Sequence, residues 1–130
     1  MMKTMQSLQS QLMKLKEETT GTMYQRGEVY FARLDGVGSE QKGLRPIIIL
    51  QNDNSNKKSP TLVVATMTTK HKKMELSCHV EVDNGKSIVL CEQLRTIDKA
   101  RIEPDSFIYR ATDEEMQQIS DAIKSYLCLF

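Results

Sequence analysis

The sequence predicts a mainly β protein closed at its carboxyl end by one helix. Three observations carry that expectation. From Gly27 onward, short runs of β-branched and aromatic residues alternate with clusters of turn formers. Asn84-Gly85 joins two of those runs as a hairpin turn would. Thr112-Asp113-Glu114-Glu115 has the form of a capping box, and Met116, Ile119, Ile123 and Leu127 follow at helical spacing.

The elements follow in order. Residues 1–22 are polar and set Met1, Met5, Leu8, Leu12 and Leu15 along a helical stripe that stops after two heptads, too short for a coiled coil. They are expected to form an amino-terminal extension, helical or disordered, ahead of a domain over 23–130. Val29 to Leu34 is the first strand, and Asp35-Gly36-Val37-Gly38 opens a loop running to Gly43. Pro46 suits the start of a strand, where its missing N–H need not join a ladder, and Ile47 to Leu50 continues it as a buried run. Asn52 to Asn56 is a turn-forming cluster. Thr61 to Thr68 is the third strand and ends in the basic loop Thr69-Lys70-His71-Lys72-Lys73. Cys78 to Val82 and Ser87 to Cys91 form the hairpin, and the capped helix packs on the sheet.

At 130 residues the chain has room for one core and not for a second full domain. Its 39% hydrophobic and 27% charged residues are ordinary for a globular protein. The longest apolar runs are far shorter than the roughly 20 residues a bilayer requires, and no apolar stretch follows Lys3, so neither a membrane span nor a secretory signal is read and the cytoplasm is expected. Cys78, Cys91 and Cys128 lack C-x-x-C spacing and read as reduced thiols. A formal net charge of +1 leaves any nucleic-acid binding to a local basic surface.

No Walker loop, G-x-S-x-G or H-E-x-x-H motif and no paired Cys/His pattern is present, so metal and cofactor are expected to be absent. What remains is polar residues at strand ends, where rigid sheets carry their sites. These are Ser39, Glu40, Gln41 and Lys42 in the first loop, Arg45 where that loop enters its strand, Thr68 where the third strand ends, and Lys70, Lys72 and Lys73 beyond it. Each taken alone has an ordinary reading. Arg45 is a surface side chain, Thr68 a strand threonine, the lysines a solvated loop, and Glu40 and Gln41 polar loop residues. His79 shares a strand face with Glu81 and reads as a structural hydrogen-bonding group.

Taken together, a series of segments resembles the MazF/PemK family. In order they are Arg26 to Tyr30, Gly38-Ser39-Glu40-Gln41, Gly43-Leu44-Arg45-Pro46 followed by aliphatics, Leu50-Gln51-Asn52-Asp53, Ser59-Pro60-Thr61, His79-Val80-Glu81, and Glu92 to Lys99. The resemblance implies a small, strongly curved SH3-like barrel with a terminal helix, assembled as a homodimer; the amino-terminal helical extension read above lies outside the family's usual pattern. It implies a ribosome-independent toxin endoribonuclease that cuts single-stranded RNA, mainly mRNA, to 2′,3′-cyclic phosphate and 5′-hydroxyl ends. A cognate antitoxin would silence it, and DNA would be met only through the antitoxin complex. The family's catalytic arginine and threonine fall on Arg45 and Thr68.

A guanidinium offers forked donors to a phosphate, and a threonine hydroxyl adds one more to the developing charge. Because a guanidinium pKa lies above about 12, Arg45 suits an electrostatic clamp better than a proton carrier. The general base is left open between Glu40 and a water. Lys42, Lys70, Lys72 and Lys73 would hold the RNA backbone, and Ser39, Gln41 and Asn52 would read splayed bases. The first loop lacks the family's frequent proline, and the hairpin after Val82 is abbreviated; both bear on the RNA sequence recognised. The alternatives are a non-catalytic toxin-fold module, such as a gyrase binder, or a regulatory DNA-binding partner of an antitoxin.

Overall fold

The computed structural model describes residues 23–69 and 77–129; the amino-terminal stripe and Lys70, Lys72 and Lys73 lie outside them. Six strands form one antiparallel sheet curled into a half-barrel: β1 (Glu28–Leu34), β2 (Gly43–Ile49), β3 (Thr61–Thr68), β4 (His79–Val82), β5 (Ser87–Asp98) and β6 (Tyr109–Arg110). Their spatial order is β4-β5-β3-β2-β1-β6. Helix α1 (Asp53–Lys58) joins β2 to β3, a 3-10 turn (Lys99–Arg101) follows β5, and helix α2 (Asp113–Leu127) ends the described chain. Among the described residues no helix is long and apolar enough to cross a membrane.

The central strands are buried on both faces, which is why their apolar residues run consecutively. Ile48, Val29, Met67 and Val89 belong to one core, under Ile119 of α2. Ile47, Ile49, Tyr30, Leu62 and Val64 belong to a second core on the other side. Full burial of such a side chain stabilises by about 1.5–3 kcal/mol.

Several local expectations are corrected. The Asn52 to Asn56 cluster is the start of α1, because Asn52 caps it by accepting from the Ser55 N–H at 2.8 Å, with Asp53 in the first turn and Lys57 and Lys58 in the last. The residues that favour turns also favour helix caps. β2 begins at Gly43, and Pro46 sits inside it, opposite Phe31 of β1. The β2–β3 ladder begins only at Ile47, so Pro46 has no β3 partner that its missing N–H would disappoint. β5 continues to Asp98, well past Cys91, and pairs with the whole of β3 across a register shift between Ala65 and Thr66. The hairpin forms as expected, and Asp83, Asn84 and Gly85 all adopt positive φ (54°, 55° and 79°).

The capping box is present, with Thr112 accepting from the Glu115 N–H and Glu115 from the Thr112 N–H. Glu115 does more than cap. Oε1 also accepts from the Tyr109 hydroxyl at 2.6 Å and Oε2 from the Asp83 N–H at 2.8 Å, so one carboxylate ties α2 to β6 and to the hairpin turn. Burial alone would raise its pKa, but the hydrogen bonds from Tyr109, Thr112 and Asp83 outweigh it and hold the carboxyl below its ordinary value. The stability this supplies is present above the unfolded value of about 4.3 and is lost as pH falls through the lower folded one. Glu115→Gln is therefore expected to lower stability at neutral pH by about 1–3 kcal/mol in urea unfolding and to flatten the loss of stability on acidification. An unchanged urea midpoint would show that the carboxylate does not hold the turn.

Candidate active site

The β2–β3 register pairs Ile47 with Thr66. Two residues further out on each strand stand Arg45 and Thr68, and beyond the end of that ladder a cavity of about 320 Å³ opens that both of them line. Its other polar walls are Thr69, Asp83, Ser87 and Tyr109. Val29, Phe31, Leu44, Pro46, Met67 and Ile108 supply an apolar lining. Arg45 is half-buried and donates from Nε to the Lys42 carbonyl at 2.9 Å. That bond orients the guanidinium through Nε, and among the described residues no hydrogen bond from its terminal nitrogens is found. Thr68 is half-buried at the last position of β3, opposite Ile88 of β5.

The other expected residues are placed differently. Ser39, Glu40, Gln41 and Lys42 belong to the β1–β2 loop beside the cavity, and none of them lines it. The loop is laid against β5 through its backbone: Arg95 donates to the Gln41 carbonyl at 3.0 Å and Gln93 to the Ser39 carbonyl at 3.4 Å. The Glu40 carboxylate accepts from the Val37 N–H at 3.2 Å, within its own loop. Asn52 lies past the opposite end of β2, where its side chain is used as the cap of α1.

Asp83, Ser87 and Tyr109 were missed. Asp83 reads as a turn residue, and nothing in the sequence around Tyr109 shows that it reaches the third-strand exit. Glu115 brings Asp83 and Tyr109 there, and the same hydrogen bond pushes the Tyr109 hydroxyl up to about 12, with burial adding to it. Asp83 is thus the acidic residue among those lining the cavity, and Glu40 is not one of them.

His79 makes the structural hydrogen bond expected of it, and the partner is Glu92 of β5, with Nε2 to Oε2 at 2.9 Å. Cys78 stands beside this pair. Among the described residues, Cys78, His79 and Glu92 are the group of donors able to hold a metal ion.

These features define a toxin-like half-barrel with an arginine and a threonine facing one cavity. The family of PemK-like, MazF-like toxins of type II toxin-antitoxin systems matches residues 25–127, and the chain belongs to it. It is 43% identical over 108 residues to the endoribonuclease MazF of Staphylococcus saprophyticus, covering 78% of this chain and 88% of that one. In three dimensions it is similar to MazF of Deinococcus radiodurans (TM-score 0.69, 18% identity, 82% of this chain and 98% of the other). It is similar as well to a mycobacterial endoribonuclease in complex with its cognate antitoxin (TM-score 0.64, 21% identity, 83% and 96%). At such identities the structural likeness shows the fold.

The three thiols should differ sharply in reactivity. Burial, with Cys78 and Glu92 adding to it, pushes Cys91 up to about 12, and burial and Glu92 raise Cys78. Cys128 is exposed. A thiol reagent at neutral pH is expected to label Cys128 in a fast phase, and Cys78 and Cys91 at the rate of opening or only on unfolding. Rapid labelling of all three, read by mass spectrometry of the peptides, would contradict this.

Proposed function

We propose that this protein is a toxin endoribonuclease that cleaves single-stranded RNA by transesterification and is silenced by a cognate antitoxin. The observation that carries the reading is that Arg45 and Thr68, separated in sequence, line one cavity. In the proposed reaction the ribose 2′-hydroxyl attacks the adjacent phosphorus, a 2′,3′-cyclic phosphate forms, and the 5′-oxygen leaves with a proton. Arg45 donates through its terminal nitrogens to the nonbridging oxygens, and the Thr68 hydroxyl adds a hydrogen bond to the same charge. Asp83 is the carboxylate proposed to accept the 2′-hydroxyl proton, in place of Glu40. Lys42, with Lys70, Lys72 and Lys73, is proposed to hold the RNA backbone.

Exposed apolar side chains at the cavity, Leu44 and Ile108, support the antitoxin part of the proposal, since an extended peptide could bury them. Assembly as a homodimer, with the cytoplasm as its site of action, belongs to the same reading.

The test is incubation with a mixed single-stranded RNA pool in EDTA, with sequencing of the new 5′-hydroxyl ends. The wild type is expected to cut, and Arg45→Ala and Thr68→Ala to lose at least about a hundredfold in rate, the scale of one lost transition-state donor. Asp83→Asn should lose rate while retaining binding of an uncleavable RNA. Absence of cleavage by folded wild-type protein would overturn the proposal. RNA affinity is also expected to fall linearly in log–log terms with rising salt, measured by fluorescence anisotropy; a flat line would remove the lysines from the RNA contact.

A further inference from the structure

The register shift in β5 has a local effect on the side of the sheet facing β4. Leu90 pairs with Thr66 and Leu94 with Ala65, so Cys91, Glu92 and Gln93 stand between the two registers as a bulge. A bulge re-aims the side chains it carries. Here Glu92 reaches the edge strand, with Oε2 2.9 Å from His79 Nε2 and Oε1 3.8 Å from Cys78 Sγ. The three donor atoms lie within 4.8 Å of one another. Cys78 is 3% exposed, and the His79 and Glu92 side chains 16% each.

We propose that Cys78, His79 and Glu92 bind one zinc ion, with a solvent oxygen as fourth ligand. The donor set decides the metal. A thiolate and an imidazole with one carboxylate suit zinc, whereas calcium and magnesium take oxygen donors. The spacing fits as well. Zinc bonds of about 2.0–2.3 Å in a tetrahedron set the donor atoms about 3.3–3.8 Å apart, which small side-chain rotations reach from the distances found here. The charge fits too, since a thiolate and a carboxylate together balance the dication in a site mostly shielded from water. The Cys78 thiol proton passes to solvent as the sulfur bonds to zinc. The ion pins the edge strand β4 to the β5 bulge, and β4 leads directly to Asp83. It takes no part in the proposed cleavage and stands or falls apart from it.

The experiment uses the full reduced chain, stripped of metal and titrated with Co²⁺ and then Zn²⁺. One Co²⁺ per chain is expected, with a thiolate-to-cobalt charge-transfer band and tetrahedral d–d absorption, both abolished by stoichiometric Zn²⁺. Cys78→Ser should lose the charge-transfer band, and Glu92→Gln and His79→Gln should weaken zinc affinity at least tenfold. Cys91→Ala and Cys128→Ala should keep the band. Zinc should also raise the thermal midpoint of the wild type and not that of Glu92→Gln, a readout that stands if Cys78→Ser fails to fold. Absence of stoichiometric binding overturns the proposal. So does a charge-transfer band that survives Cys78→Ser or vanishes in Cys128→Ala.

Discussion

The site depends on one carboxylate that takes no part in it. Glu115 sits in the first turn of α2 and accepts hydrogen bonds from the Thr112 and Asp83 N–H groups and from the Tyr109 hydroxyl. Two of these donors belong to residues of the cavity wall. The cap that starts the helix therefore also sets the position of the β4–β5 turn and of β6 relative to it. Ile119, one helical turn further on, is wholly buried in the core that this helix covers, and so keeps the carboxylate from moving as a unit with a loose helix. Arg26 closes the arrangement from the other side. Its side chain donates to the Leu50 carbonyl and to Ser120 of α2, while its N–H donates to Asp53 of α1.

Much of this was legible in the sequence, and what was not has physical reasons. Strands whose residues are buried on alternate faces or on both, such as β1 and the Ile47 to Ile49 run, announce themselves by composition. So does α2, whose cap and apolar spacing agree. The far half of β5 did not, because Glu92 and Gln93 in the bulge and Arg95 and Thr96 beyond it lie on a partly exposed stretch with no clean alternation. Helix α1 has six polar residues and no apolar face to reveal it. Arg45 and Thr68 were found through family resemblance, each being ordinary alone. Asp83 and Tyr109 were invisible because their placement runs through Glu115, 32 residues from Asp83 in sequence. The metal-ligand cluster escaped for the same kind of reason: Glu92 lies 13 residues from His79, and only strand pairing makes them neighbours.

The location of the cavity follows from where one ladder ends. β2 keeps β1 along its whole length but meets β3 only from Ile47 onward. Pro46 lies at that boundary, and a residue without an N–H cannot extend the ladder toward β3 as its neighbours do. On its other edge β3 pairs with β5 throughout, so past that point Met67 and Thr68 keep their pairing with Val89 and Ile88. The glycine-x-arginine-proline sequence thus has a structural meaning besides its chemical one. The proline ends a pairing, and the arginine beside it gains an open cavity in place of a neighbouring strand.

That geometry also bears on how a chain of net charge +1 would address the polyanion proposed as its substrate. A guanidinium stabilises developing phosphate charge best when it is already oriented, because orienting it during the reaction would consume part of the gain. The Nε bond to the Lys42 carbonyl provides the orientation, and the Gln41 carbonyl, held by Arg95, anchors the neighbouring residue of the same loop to β5. Val29, Met67 and Pro46 line the same cavity and exclude water from part of it, which lowers the local screening of the arginine charge. One fixed cation against an apolar wall can accomplish what a diffuse basic surface would need several side chains to do. In the proposed reaction the lysines are left to supply affinity, and the phosphate would be met by a group whose position is set by the Lys42 carbonyl and strand register.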